Sequence, residues 1–239
     1  MKIITADILS PEELIAADEY ILTKAESGDM GETLRFWGSK KYFVVLGRSG
    51  KAGEECFLER CKSDGIPVIR RISGGGTVLQ GPGCLNYSLI LSNKNINSRE
   101  IRSSFEAVLG KIIGALKDKG IDAEFFPVSD LAVSGKKFSG NAQARKKDFF
   151  LQHGTFLLDF DINKATLYLK HPPKEPIYRK GREHGAFMDN IGLSENEIKE
   201  MILSIWPVDG EYKLFSHDLS SIKELVLIKY SQDAWNLVF

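Results

Sequence analysis

The chain has 239 residues, 43% hydrophobic and 27% charged, an ordinary globular composition long enough for one principal domain with a large core. Its 32 Lys and Arg offset its 32 Asp and Glu, so no global basic field points to nucleic acid as a partner. The start MKIITADIL carries no cleavable leader, and no later run reaches the roughly 18 apolar residues of a membrane span, so a cytoplasmic, soluble protein without a membrane partner is expected.

Ser10-Pro11-Glu12-Glu13 opens a helix: serine caps it, proline suits its first position and Glu13 stands three residues after the cap, so about four turns should run towards Gly28. Residues 34–37 and 42–46 read as two strands joined by a turn at 38–41, and 54–62 as a short helix ended by Gly65. Residues 67–72 and 86–91 are strand-like, with the glycine-rich segment 74–83 as an irregular loop between them. Over 99–119, Ile101, Phe105, Val108, Leu109, Ile112, Ile113 and Leu116 recur three and four apart, one buried face of a long helix. Segments 123–126, 131–133, 137–139 and 154–158 then read as an antiparallel meander. The proline-rich stretch 172–176 reads as a surface loop, and Ser194 with Glu197 repeats the capping box ahead of a last helix. Strands and helices do not alternate regularly, which favours an α+β fold with a mixed, largely antiparallel sheet flanked by helices.

Gly74, Gly75 and Gly76 follow Arg70-Arg71-Ile72-Ser73. Such a run lets backbone N–H groups approach a phosphate or carboxylate, with arginine adding a fork of donors; it equally serves a hairpin or bulge that needs glycine. Neither a phosphate-binding G-x-x-x-x-G-K-[ST] run nor a strand-borne G-x-G-x-x-G is present. In KKFSGNAQ (136–143), strand alternation sends Lys136 and Lys137 to opposite faces, so only one reaches an enclosed site. There a lysine can stabilise charge on a leaving pyrophosphate; a solvated turn is the plainer reading. Asp130 suits a hard cation or a lysine amine, or is a turn residue, and His153 in isolation reads as structural. Cys56, Cys61 and Cys84, with four and then 22 residues between them, fit neither a disulfide framework nor paired zinc ligands and read as reduced thiols.

In this order and spacing, RRISGGGTVLQGPGCLNYSLIL (70–91), SDLAVSGKKFSGNAQ (129–143) and HGTFLLDFD (153–161) resemble the lipoate-protein ligase A family, within the group shared with biotin ligases and octanoyltransferases. A weaker likeness runs from the first helix to YSQDAW (230–235). The resemblance implies a single catalytic domain of the biotin/lipoate ligase, class II synthetase-like fold over 1–239, with the family's C-terminal accessory domain absent. It implies ATP-dependent activation of lipoate to lipoyl-AMP, with Mg²⁺, and transfer to a lysine of lipoyl domains of 2-oxoacid dehydrogenase complexes or of the glycine cleavage H protein. A separate accessory subunit for the activation step stays open.

Carried residue by residue, the resemblance implies Lys137 as the catalytic lysine and Arg71 as a contact to the nucleotide or acyl-adenylate. Ser73, Gly74, Gly75, Gly76, Thr77, Val78 and Leu79 form the adenylate loop, Asp130 serves metal and phosphate, and His153 supports the site. Ser129 stands where the family usually has asparagine. The nearest rival is an octanoyl- or lipoyl-transferase that works on an activated acyl group through a cysteine thioester. Residues 121–136 hold no cysteine and none follows Cys84, which counts against it. A non-catalytic lipoyl-adenylate-binding protein is the alternative from another class. Tyr178, Arg179, Arg182, Glu183 and His184 are similar to an arginine-rich stretch of part of the family, readable as a gate, an acceptor contact or a solvated basic loop.

Overall fold

In the computed structural model, which describes residues 1–6, 10–94, 100–127 and 129–238, strand β1 (Lys2–Thr5) leads to helix α1 (Pro11–Glu26). The capping box at Ser10 and Glu13 is formed in both directions, satisfying two of the helix's free end donors. Strands β2 (Thr33–Trp37) and β3 (Phe43–Leu46) fall where expected but are not hairpin partners. They belong to different sheets, because β3 is buried at every residue and is sandwiched by its own layer. The single helix expected over 54–62 is two, α2 (Ala52–Glu55) and α3 (Leu58–Ser63). Cys56 breaks it by turning extended to bridge Leu169.

After β4 (Val68–Arg70), the stretch expected to be irregular contains a strand, β5 (Val78–Gln80), before β6 (Cys84–Ser92). Helix α4 (Ile101–Asp118) buries Phe105, Val108, Leu109, Ile112 and Leu116 of the periodic stripe, while Ile101 is exposed and the expected start at 99 lies outside the described residues. The meander follows as β7 (Ala123–Phe126), β8 (Asp130–Val133), β9 (Lys136–Arg145) and β10 (Phe149–Leu157). Beyond it lie α5 (Ile162–Tyr168), α6 (His184–Phe187), α7 (Glu195–Ile205) behind its Ser194–Glu197 box, β11 (Gly210–Lys213) and α8 (Ser216–Leu225). A π-helical turn (Val226–Tyr230) and α9 (Asp233–Asn236) follow.

Eight strands form one sheet in the order β11-β1-β2-β6-β10-β9-β8-β7; only the pairings of β1 are parallel, so the sheet is mixed and largely antiparallel, as expected. Helices α4 and α7 cover one face through Leu109, Ile112, Ile198 and Ile202. The other face receives α1 through Leu14, Ile21 and Leu22, and the small sheet β4-β3-β5 through Phe43, Val45 and Ile69. A cleft opens where the β4–β5 loop faces β9 and β10. All three cysteines are free thiols and buried, and no helix among the described residues is long and apolar enough to cross a membrane.

Candidate active site

Strand β4 delivers Arg71 into the glycine loop, and the loop is shaped from within by that side chain. Its guanidinium donates to the carbonyls of Gly74 (2.6 Å), Gly76 (2.9 Å) and Val45 (3.3 Å) and to Ser73 Oγ (2.9 Å). Burial lowers the Arg71 pKa to about 10, so it stays charged at neutral pH. The side chain expected to reach a nucleotide lines the smaller lobe and also holds the chain's own loop through these bonds. With two loop carbonyls turned onto Arg71, no described residue accepts from the N–H groups of Gly74, Gly75 or Gly76, which leaves them to a ligand. Only Gly75, at φ 88°, needs a backbone conformation closed to other residues. On the outer arm, Thr77 Oγ1 donates to Glu55 Oε2 at 2.6 Å.

Across the cleft, β8 and β9 bring Lys137 Nζ to 2.7 Å from Asp130 Oδ1, while Tyr178 Oη donates to Asp130 Oδ2 at 2.9 Å. Lys136 points the other way, to the exposed Asp189. The spacing from Lys137 to Gly140 has a mechanical reason: a Cβ on Gly140 would stand 2.9 Å from Lys137 Nζ, so the amine lies over bare backbone. Both Asp130 oxygens are engaged by the protein, and no group of three metal-binding side chains occurs among the described residues.

His153, on β10, lines the cleft and belongs to a buried polar chain that the sequence reading missed. Its Nε2 lies 2.6 Å from Ser73 Oγ and its Nδ1 2.9 Å from Asp18 Oδ2, on α1. Asp18 also pairs with Arg35 of β2 at 2.8 Å and accepts from Ser88 Oγ at 3.0 Å. Burial raises the Asp18 pKa, but the His153 hydrogen bond and the Arg35 charge outweigh it and hold the carboxyl below the usual range. The signal was in the sequence: Asp18 stands among Leu14, Ile15, Ile21 and Leu22 on the apolar face of α1, where a carboxylate requires a partner.

A second hub sits one residue before Arg71. Arg70 is wholly buried, and its guanidinium donates to the carbonyls of Gly47 (2.9 Å), Gly50 (2.7 Å), Trp235 (2.9 Å) and Asn236 (2.9 Å). Asn236 Oδ1 accepts from Arg70 N and Trp235 Nε1 donates to Arg70 O, both at 2.9 Å. The segment around YSQDAW is therefore fastened to the base of the glycine loop.

The cleft has two lobes that share Gly75, Gly76, Thr77, Asp130, Lys137 and Gly140. The smaller, about 120 Å³, is closed by Ile15, Trp37, Val45 and Val78; the larger, about 360 Å³, carries Phe160, Leu169, Lys170, Lys174, Arg179 and His184. Of the residues singled out from the sequence, Arg71, Gly75, Gly76, Thr77, Val78, Leu79, Asp130, Lys137 and His153 line the cleft, whereas Ser73 is buried behind it and Gly74 is exposed outside its lining. The stretch 178–184 is only partly solvated: Arg179 and His184 are buried, whereas Lys180, Gly181 and Glu183 are exposed. Tyr178 stacks on Phe126 at 4.0 Å, Arg179 is buried against Phe187, and Arg182 donates to Gly135 O and Tyr178 O. No cysteine lines the cleft, and burial pushes the Cys56 and Cys84 thiols up to about 12.

The model of the lipoyl protein ligase A/B catalytic domain matches residues 10–196. Lipoate-protein ligase 1 of Staphylococcus aureus is 31% identical, covering 99% of this chain and 73% of its own length. A lipoate-protein ligase A of Mycoplasma pneumoniae is 33% identical over 70% of this chain, and the aligned part spans only 48% of that relative, about half its length. Octanoyltransferase LipM of Brevibacillus brevis is 26% identical over 99% of this chain and 98% of its own. Among solved structures, the bi-partite lipoate protein ligase of Thermoplasma acidophilum, described with its E2 lipoyl domain, superposes with TM-score 0.82 at 25% identity, covering 99% and 95% of the two chains. A T. acidophilum structure with bound lipoic acid gives 0.78 at 26% over 99% and 98%, and a lipoate-protein ligase A bound with ATP gives 0.80 at 25% over 99% and 98%. With the family's own model matched over residues 10–196 and 99% of this chain aligned to the S. aureus ligase, the chain belongs to the lipoyl protein ligase A/B catalytic domain family.

Proposed function

We propose that this chain is a lipoate-protein ligase: it activates lipoate with ATP to lipoyl-AMP and passes the acyl group to a lysine of a lipoyl domain. The observation that carries the reading is the Lys137 amine, held by Asp130 at 2.7 Å where the two lobes meet, opposite a loop whose glycine N–H groups are uncommitted. The lobes suit the two substrates. The smaller lobe, closed at its end by the apolar Ile15, Trp37 and Val45, takes the acyl chain, and the larger lobe, with Lys170, Lys174 and Arg179 on its wall, reaches the few hundred Å³ typical of small-molecule sites and takes the nucleotide.

The lipoate carboxylate attacks the α-phosphorus and pyrophosphate leaves; the acceptor lysine then attacks the mixed anhydride and AMP leaves. Lys137 places its positive charge where charge builds on the reacting oxygens, and the glycine loop supplies fixed N–H dipoles. A hard cation borne on the phosphates needs only one or two protein carboxylates, so Mg²⁺ would enter as part of the nucleotide substrate, and Asp130, whose oxygens are shared with Lys137 and Tyr178, is the carboxylate that would meet it. His153 lines the smaller lobe as a support. The lipoic acid and ATP complexes of the structural neighbours, and the E2 lipoyl domain of the T. acidophilum system, support these substrates and a lipoyl-domain acceptor. Among such acceptors we place the 2-oxoacid dehydrogenase lipoyl domains and the glycine cleavage H protein.

The thioester route of an octanoyltransferase is disfavoured by the buried thiols, all three of which lie outside the cleft lining. The test is mass detection of lipoyl-adenylate after mixing the protein with lipoate, ATP and Mg²⁺ without acceptor. Adenylate should form, and Lys137→Ala should abolish it. No adenylate, together with full transfer from synthetic lipoyl-adenylate, refutes activation by this chain. A variant with all three cysteines changed to alanine should stay active; its complete loss while folded would restore the thioester mechanism.

A further inference from the structure

We infer that Asp18 is a positioning residue: it fixes the tautomer of His153 and, through Ser73 and Arg71, the shape of the glycine loop. The inference rests on the reading of that loop as the adenylate cradle. Every group that faces Asp18 donates to it. Arg35 NH1 lies at 2.8 Å, His153 Nδ1 at 2.9 Å and Ser88 Oγ at 3.0 Å, and the Ser88 oxygen already accepts from Trp37 Nε1. An ionised carboxylate has no proton to give, so Nδ1 of His153 carries one. On the other side of the ring, Ser73 Oγ already accepts from Arg71 Nε, so the Ser73 proton has Nε2 of His153 as its acceptor at 2.6 Å, and the geometry assigns that nitrogen no proton of its own.

The bare Nε2 accepts the Ser73 hydroxyl proton at 2.6 Å, which leaves the Ser73 lone pairs for Arg71 Nε at 2.9 Å. With Nε anchored there, the far nitrogen of the fork reaches Gly74 O and Gly76 O. Donation thus runs one way, from Arg71 through Ser73 and His153 to Asp18 on helix α1. In the opposite tautomer Nε2–H would face the Ser73 oxygen, and the Ser73 proton would be buried without an acceptor. The order Ser73, His153, Asp18 is that of a nucleophilic triad. Ser73, however, is wholly buried behind the cleft with its oxygen held by Arg71, so this chain orients and does not react.

The test is side-chain ¹⁵N NMR of the ligand-free protein labelled at histidine, with the His153 signals assigned by their loss in His153→Gln, alongside binding of a non-hydrolysable lipoyl-adenylate analogue. Wild type should show Nδ1–H and a bare Nε2. Asp18→Asn turns an amide N–H towards one of three donors and should move the ring to Nε2–H, with analogue affinity weaker by about tenfold or more. Ser73→Ala cuts the chain downstream: the tautomer should stay Nδ1–H while affinity falls by a similar factor. The inference is overturned by a wild-type ring that is doubly protonated or Nε2–H, by Asp18→Asn keeping both tautomer and affinity, or by Ser73→Ala binding as wild type. If Asp18→Asn does not fold, the wild-type and Ser73→Ala results decide. A wild type that binds no analogue refutes the ligase reading, and the tautomer result still judges the role of Asp18 towards His153.

Discussion

Gly47→Ala should damage the site from a residue that lines neither lobe. A Cβ at Gly47 would stand 1.9 Å from the carbonyl oxygen of Gly75 and 3.0 Å from its carbon. Carbon and carbonyl oxygen rest at about 3.3 Å, so the two must separate by about 1.4 Å. The base of the loop cannot follow, because Arg71 N donates to Leu46 O at 3.0 Å and Arg48 N to Ser73 O at 2.8 Å. The displacement therefore falls on Gly75 and pulls its neighbours off the Arg71 fork, where they are held at 2.6 and 2.9 Å. Overpacking and one weakened charged hydrogen bond together cost about 2–5 kcal/mol in stability. A loop moved by more than about 1 Å lowers adenylate formation by about a hundredfold. The measurements are the urea midpoint and mass-detected adenylate. The control is Gly53→Ala, whose methyl meets nothing within 4 Å. Wild-type midpoint and full adenylate formation in Gly47→Ala would refute the account of how the loop is held.

Gly140→Ala should separate activity from stability: the new methyl crowds the flexible end of Lys137 and meets Asp130 Oδ1 at an ordinary 3.8 Å, so the urea midpoint should hold while adenylate formation drops as the amine leaves Asp130. An unchanged rate would contradict that placement of the amine. In α4, Gly110 and Gly114 are exposed with nothing within 4 Å of an added methyl, so each change to alanine should stabilise by about 0.5–1 kcal/mol in chemical denaturation. The pH dependence follows from Asp18, whose folded pKa is depressed. Its contribution is fully present above the unfolded value of about 3.9 and is lost as pH falls through the lower folded value, so the stability gap between wild type and Asp18→Asn should close in acid. A gap constant from pH 7 to pH 2 would count against a depressed Asp18.

What was legible in the sequence was local. The Ser10 and Ser194 boxes, the α4 stripe and the β7–β10 meander each depend on residues a few positions apart, and each formed. Membership of a sheet is not local: nothing between Trp37 and Phe43 says that β2 joins one layer and β3 another, and β1 finds β11 more than 200 residues away. In the cleft, strand alternation separated Lys137 from Lys136 correctly. The bonds from Arg71 to the loop carbonyls were hidden, because nothing in the order of residues says that Gly74 O and Gly76 O turn back onto the guanidinium. Asp18 was readable in principle, since a carboxylate on an apolar helix face implies a buried cation, but its partners on β2, β6 and β10 were not.

The Arg70 hub also sets a timetable for biosynthesis. Its backbone oxygen and two arms of its guanidinium are satisfied by Trp235 and Asn236, 165 and 166 positions later. At the usual synthesis rate of about 5–20 residues per second, roughly 8–33 s pass on the ribosome between Arg70 and the carbonyls it awaits. During that interval a cation destined for the interior lacks two of its five carbonyl acceptors. Until Trp235 and Asn236 dock, the base of the glycine loop in a nascent chain is held only by its local contacts to Leu46, Gly47, Arg48 and Gly50.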